Sequence, residues 1–250
     1  MENTKTCDDY IAELNRMYQE HYRNGKCPYY SKCFSSAVGP SKFEFDYAAK
    51  VGADYGKPGI PKVLIVGQEG KSGHTETGKT SESIEQNNEH YRKTLYTLAL
   101  LLGDTKPASF SANDLKSSEE LLKKFCLTNY YKCALQGNDS RACRSLPHTK
   151  EMKGNCHVIL EKEIEILEPD LVIIQGKFTP KAFWEAFGKD KRIAGNRTEA
   201  DDTLSLYRYN PEGKKPFYII YGYHPCYFPA WSGELLEQFE RMIEEFLKQK

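Results

Sequence analysis

The chain has 250 residues, 39% hydrophobic and 28% charged, which is the make-up of an ordinary globular protein with one or two domains' worth of core. Lys and Arg number 35 and Asp and Glu number 35, so a global positive field that coats duplex nucleic acid is excluded and any such contact must use local patches. No apolar run approaches the roughly 18 residues of a membrane span, and Met1 to Asp9 lacks the basic and apolar regions of a secretory signal. A cytoplasmic protein with no membrane partner is expected, in a compartment where the eight cysteines hold metal more readily than they pair.

In chain order, Tyr10, Ile11, Leu14, Met17, Tyr18 and Tyr22 recur at helical spacing, and Thr6 with Asp9 forms a capping box, so a helix begins near Cys7. Gly25 to Cys33 is turn-rich and carries two thiols, Cys27 and Cys33, with five residues between them. Residues 35–61, with repeated Gly and Pro, read as a long irregular connection. Val63-Leu-Ile-Val66 followed by Gly67 is an all-apolar strand with a sharp stop, as a sheet covered on both faces requires. In such sheets ligands bind beyond the carboxyl ends of the strands. Glu69 lies two residues past this end, between Gly67 and Gly70, where the backbone can approach a ligand closely. A solvated loop carboxylate is the plainer reading.

The polar segment 71–88 includes Gly73-His-Thr-Glu-Thr-Gly-Lys-Thr80, a literal match to the phosphate-binding P-loop pattern. It leaves no strand directly and opens no apolar helix, so a nucleotide-triphosphatase ranks third among the readings. Tyr91, Leu95, Leu98, Leu101 and Leu102 mark a helix, Leu115 to Lys124 a short one, and Phe125 to Cys133 a second strand. A loop is expected over 134–154, a helix from Cys156 to Leu167 ended by Glu168-Pro169, and a third strand over Asp170 to Gly176. Phe178 to Phe187 reads as a short helix and Lys189 to Arg197 as a surface loop. Phe217 to Pro225 is a fourth strand ending in His224-Pro225, and Ser232 caps a last helix over Leu235 to Leu247. The pattern predicts one α/β domain over residues 1–250, three layers (α/β/α) around a mainly parallel four-stranded sheet, with 1–61 as an N-terminal helix and cysteine-bearing extension.

Three loops, in order, resemble the uracil-DNA glycosylase superfamily. Gly67-Gln-Glu-Gly70 resembles its first motif, Asn129-Tyr-Tyr-Lys-Cys133 looks like the Asn-Val-Val-Lys-Cys strand end of the iron–sulfur (family 4-like) branch, and His224-Pro-Cys226 is similar to its His-Pro-Ser motif. The resemblance covers about residues 25 to 250. It implies an enzyme that flips a pyrimidine out of the DNA stack and hydrolyses its N-glycosidic bond, leaving an abasic site. Glu69 would stabilise positive charge on the sugar and His224 negative charge on the departing base. Gly67, Gln68, Gly70, Tyr91 and Asn129 would form the base pocket, with Asn129 reading the pyrimidine edge and Tyr91 stacking. Tyr227 and Phe228, with Trp231, would wedge into the duplex.

The resemblance further implies a 4Fe–4S cluster on Cys27, Cys33, Cys133 and Cys156, with Cys143 as an alternative ligand and zinc as an alternative metal. The partner it implies is DNA carrying a flipped pyrimidine, bound by a monomer. Each residue has a plainer structural reading: Asn129 as a strand-end cap, Tyr91 as core, His224 as a packed loop histidine, the aromatic trio as packing for the last helix. The chain departs from the first motif where Gly70 replaces its proline and Lys71-Ser72-Gly73 supplies no bulky aromatic. The wall that rejects C5 substituents then looks open, which suggests a C5-modified pyrimidine, as in the antiphage branch that acts on hypermodified phage cytosine. The alternative class is a non-catalytic nucleic-acid-binding module on the same fold.

Overall fold

The computed structural model describes residues 5–22, 27–35, 42–45, 48–67, 89–102, 118–136, 150–176, 191–195, 204–225 and 227–249. Among these the chain forms helices α1 (Cys7–His21), α2 (Tyr30–Ser35), α3 (Glu89–Leu101), α4 (Ser118–Leu122), α5 (Lys150–Leu167) and α6 (Gly233–Lys248). The strands are β1 (Lys42–Phe45), β2 (Lys50–Val51), β3 (Val63–Gly67), β4 (Cys126–Asn129), β5 (Cys133–Gln136), β6 (Leu171–Gln175), β7 (Lys191–Gly195), β8 (Ser205–Tyr209) and β9 (Phe217–Gly222). None of the described helices is long and apolar enough to cross a membrane.

The four strands expected from sequence form the parallel centre of the sheet, in the order β4-β3-β6-β9. Their apolar runs follow from burial on both faces. Alternate residues of a strand point to opposite sides, and Leu64, Val66, Val172 and Ile174 join one apolar cluster while Val63, Ile65, Leu171 and Ile173 join the other. The first cluster takes in Tyr10, Leu14 and Met17 of α1 and Ile159, Leu160 and Ile164 of α5. The second takes in Leu95 and Leu98 of α3 and Phe239, Met242 and Ile243 of α6. Helices thus cover both faces of the sheet. From β3 the chain passes through α3 to β4 on one side, then through α5 to β6 on the other. The connections therefore diverge between β3 and β6, which is where open α/β sheets bind ligands.

A four-stranded, mainly parallel sheet is corrected to a seven-stranded mixed one, β2-β4-β3-β6-β9-β8-β7, whose β2, β8 and β7 run antiparallel to their neighbours. Two of the added strands, β2 and β7, lie at the edges, where the apolar signature fades because an edge strand need not be buried on both faces; β8 lies inside, between β9 and β7. β2 is two residues long, and β7, expected as a surface loop, is Lys-Arg-Ile-Ala-Gly with an irregularity between Arg192 and Ala194. The irregular connection over 35–61 in fact contributes β1 and β2, so the N-terminal segment joins the sheet as well as packing α1 against it.

The strand expected over Phe125 to Cys133 is two strands. β4 stops at Asn129; the Tyr130 amide still donates to the Gly67 carbonyl at 2.9 Å, and the chain re-forms as β5, paired with β1 in a separate ribbon. The helix start near Cys156 moves forward to Lys150. The Thr6–Asp9 capping box is present in both directions, and Ser232 occupies the N-cap of α6 without a side-chain cap bond. The short helix expected over 178–187 lies outside the described residues.

Candidate active site

Parallel register fixes which side chains share the carboxyl edge of the sheet. Gly67 pairs with Asn129, Val66 with Ile174, and Gln175 with Gly222, so Asn129, Gly67, Gln175 and Gly222 stand in a row across four strands. Gly67 and Asn129 are in contact: a Cβ added at Gly67 would lie 2.6 Å from Asn129 Oδ1. The asparagine amide occupies the space above this strand end, so any side chain here would have to displace it. At about 4.8 Å per strand, β9 lies roughly 14 Å along the edge from β4. Asn129 and His224 therefore flank the β3–β6 divergence from opposite sides and do not touch through the sheet.

The floor between them is anchored to α3. Gln175, buried, donates through Nε2 to Thr94 Oγ1 at 3.1 Å. Gly176 continues in a positive-φ conformation (129°) that favours glycine, and its amide donates to the Gly222 carbonyl at 3.0 Å.

His224 follows β9 in a tied-down turn. Its carbonyl accepts from the Tyr227 amide at 2.8 Å and from Trp231 Nε1 at 3.4 Å. The next carbonyl, of Pro225, accepts from the Lys93 ammonium at 2.8 Å, and Lys93 is only 5% exposed. Burial, and secondly the Lys93 charge, hold the half-buried His224 imidazole below the ordinary histidine range, favouring the neutral ring. Such a ring offers one N–H donor without carrying a charge.

Of the aromatic trio, Trp231 is buried in the α3/α6 cluster, in contact with Phe239 (ring centroids 5.6 Å apart), so it packs the last helix. Tyr227 is 47% exposed, with its ring 5.2 Å from that of Tyr223. Glu69, Gln68 and Gly70 lie outside the described residues, as does the 73–80 glycine-rich match. Tyr91, in α3, and Phe228, which opens a 3-10 turn, are described in backbone only.

Of the cysteines expected to hold metal, Cys27, Cys33 and Cys156 lie near one another at a corner where α2 meets α5. Cys33 and Cys156 are buried, and Asn155 Nδ2, beside Cys156 on α5, reaches Cys33 Sγ at 3.5 Å. The Cys156 thiol is pushed up to about 12, first by burial and also by the nearby sulfurs of Cys33 and Cys27, while a backbone hydrogen bond from Lys132 opposes the shift. Lys132 immediately precedes Cys133, the first residue of β5, so the fourth cysteine's backbone enters the same corner. Cys27 lies 3.8 Å from His21 Nε2. The Cys133 side chain and Cys143 are outside the described residues, and among the described ones no three His, Cys, Asp or Glu side chains form a ready metal-binding group.

Two features at these sites carry no motif in the sequence. Lys93 lies in the polar first half of α3, between Arg92 and Thr94, and reads as a surface charge. Glu163 looks like one of several surface carboxylates on α5 but is fully buried, 2.7 Å from the Lys132 ammonium. No family model matches the chain, and no curated protein matches it.

Proposed function

We propose that the protein is a DNA glycosylase that hydrolyses the N-glycosidic bond of a flipped-out uracil or C5-modified pyrimidine and leaves an abasic site. The observation that carries this reading is the seating of the Asn129 amide directly on Gly67, with a tethered, neutral-leaning His224 across the β3–β6 divergence. An amide at one side offers a donor and an acceptor to a pyrimidine edge. The imidazole at the other offers a donor to the base oxygen that gains negative charge as the bond breaks. Glu69, two residues beyond Gly67, would stabilise the sugar cation and position the attacking water.

The donor chemistry of the cysteine corner fits a thiolate-bound group, since buried thiols with raised affinity for protons are poor free nucleophiles and gain from a cation. Cys27, Cys33, Cys133 and Cys156 would hold a 4Fe–4S cluster that fixes α2, the start of β5 and α5 to one another; zinc on the same thiols is the alternative.

The deciding experiment incubates the protein, purified without oxygen, with oligonucleotides containing uracil or C5-substituted cytosines, followed by alkali to break abasic sites. Cleavage at the modified base, faster than at uracil, is expected, because Gly70 and Ser72 offer no bulk against a C5 substituent. The same preparation should be brown with about four irons per chain. No alkali-labile site from any of these oligonucleotides would overturn the enzymatic reading and favour a binding module.

Gly67→Ala provides a test specific to the geometry. Its Cβ would collide with the Asn129 amide oxygen, while the next atom among the described residues is 3.8 Å away, so the asparagine must swing aside while the strand stays in place. The cost in stability should be about 1 kcal/mol. Excision should drop about ten- to a hundredfold through loss of a paired hydrogen bond to the base. Unchanged excision would remove Asn129 from the pocket.

A further inference from the structure

Building on the glycosylase reading, we infer that Lys93 is a positioning residue of this site: its buried ammonium anchors the His224–Pro225 turn to α3 and sets a fixed positive charge beside the imidazole. An ammonium is costly to bury unless it is well hydrogen-bonded, and an apolar residue would fill the same space without that cost. Lys93 Nζ donates to the Pro225 carbonyl at 2.8 Å and lies 5.8 Å from the centre of the Trp231 ring, close enough for the cation to interact with the ring's face. Trp231 in turn donates to the His224 carbonyl. Lysine, tryptophan and the Tyr227 amide thus hold two consecutive carbonyls of the turn, which fixes the backbone from which the His224 side chain extends.

The consequence is chemical as well as mechanical. A departing pyrimidine gains negative charge on its oxygen, and a neutral imidazole beside a permanent cation can stabilise that charge without giving up a proton. Burial first, and the Lys93 charge second, lower the proton affinity of His224, and only the second part should vanish with the lysine. Besides Lys93, the titratable groups of the same turn among the described residues are the phenols of Tyr223 and Tyr227; Cys226 lies outside the described residues. Glu69, assigned to the same site by resemblance, lies outside the described residues, and a carboxylate there acts in the opposite sense.

The test follows the His224 ring by NMR across pH in the full-length wild-type protein, in Lys93→Met and in Lys93→Arg, with His224→Gln to identify the signal. Single-turnover excision is measured on the same samples. In the wild type, His224 should titrate below the ordinary value of about 6.5. In Lys93→Met it should titrate at higher pH, and the acid-side fall of the excision rate should move up with it. The maximal rate, read above that fall, should decline on the order of 100-fold with a smaller change in DNA affinity, because the donor is misplaced and has lost the neighbouring cation. Lys93→Arg should restore the low titration and most of the rate. The same comparison in a Glu69→Gln background should preserve the displacement.

A His224 titration that Lys93→Met leaves in place overturns the inference. So does a wild-type midpoint at or above the ordinary value, which decides the matter even if Lys93→Met does not fold. Should the wild type release no base from any oligonucleotide, the glycosylase reading falls, and the titration arm still decides whether Lys93 governs His224.

Discussion

Glu163→Ala should lower the free energy of unfolding by about 3–5 kcal/mol, the usual result of leaving one member of a buried ion pair without its partner. Both side chains of the Lys132–Glu163 pair are fully buried. The Glu163 carboxylate accepts from Tyr18 Oη at 2.5 Å, Thr128 Oγ1 at 2.9 Å and Lys132 Nζ at 2.7 Å. Lys132 also donates to Thr128 Oγ1, and Tyr18 Oη accepts from the Ala49 amide at 2.7 Å. Every strong group in this cluster has a partner, which is the condition for a buried polar network to be tolerated.

Its position explains why a network is there at all. Thr128 precedes Asn129, Lys132 precedes Cys133, and Glu163 lies on the helix that carries Cys156, so one set of bonds sets the β4 strand end and the cysteine corner in fixed relation. Denaturant unfolding of wild type, Glu163→Ala, Lys132→Met and the double variant Lys132→Met/Glu163→Leu measures the effect. The double variant should be more stable than either single one, since it buries no lone charge. A loss below about 1 kcal/mol for Glu163→Ala would mean that water reaches the pair.

Glu69→Gln should reduce single-turnover excision by roughly 100- to 1000-fold while leaving DNA binding in place, and His224→Ala should do the same. On the proposed glycosylase reading the two would act on opposite charges of one transition state: the carboxylate on the sugar, the imidazole on the base. Neither charge exists in the bound substrate, so each substitution should depress the maximal rate far more than the affinity. Fluorescence anisotropy with a modified oligonucleotide reports binding, and alkali cleavage of the same oligonucleotide reports chemistry. Equal losses in both measurements would show that the residues grip DNA and do not drive bond breakage. The double variant should lose less than the sum of the two single losses if the residues act as a unit.

Much of the centre of this protein could be read from the chain itself. Val63 to Val66, Leu171 to Ile174 and Phe217 to Tyr221 are apolar on both faces because each strand is sandwiched between helices, and each ends at or just before a glycine that marks the carboxyl edge. The same logic found the α1 capping box and the amphipathic faces of α3, α5 and α6. Local sequence encodes these elements because burial and capping act on neighbouring residues.

Other features exist only after folding. β2, β7 and β8 obtain their hydrogen bonds from strands already in place and need no distinctive sequence of their own. The break after Asn129 arises because Lys132 is drawn inward to Glu163, 31 residues later, while the Tyr130 amide completes its bond to β3. Gly67 has its role only because register sets it against Asn129, and Lys93 changes from a surface charge to a buried anchor because the turn after β9 closes over it. Sequence alone fixed the apolar strands and their stops, since burial is written in each residue's own chemistry. The tertiary structure decided which polar side chains meet, since a long-range hydrogen bond leaves no periodic trace in the chain.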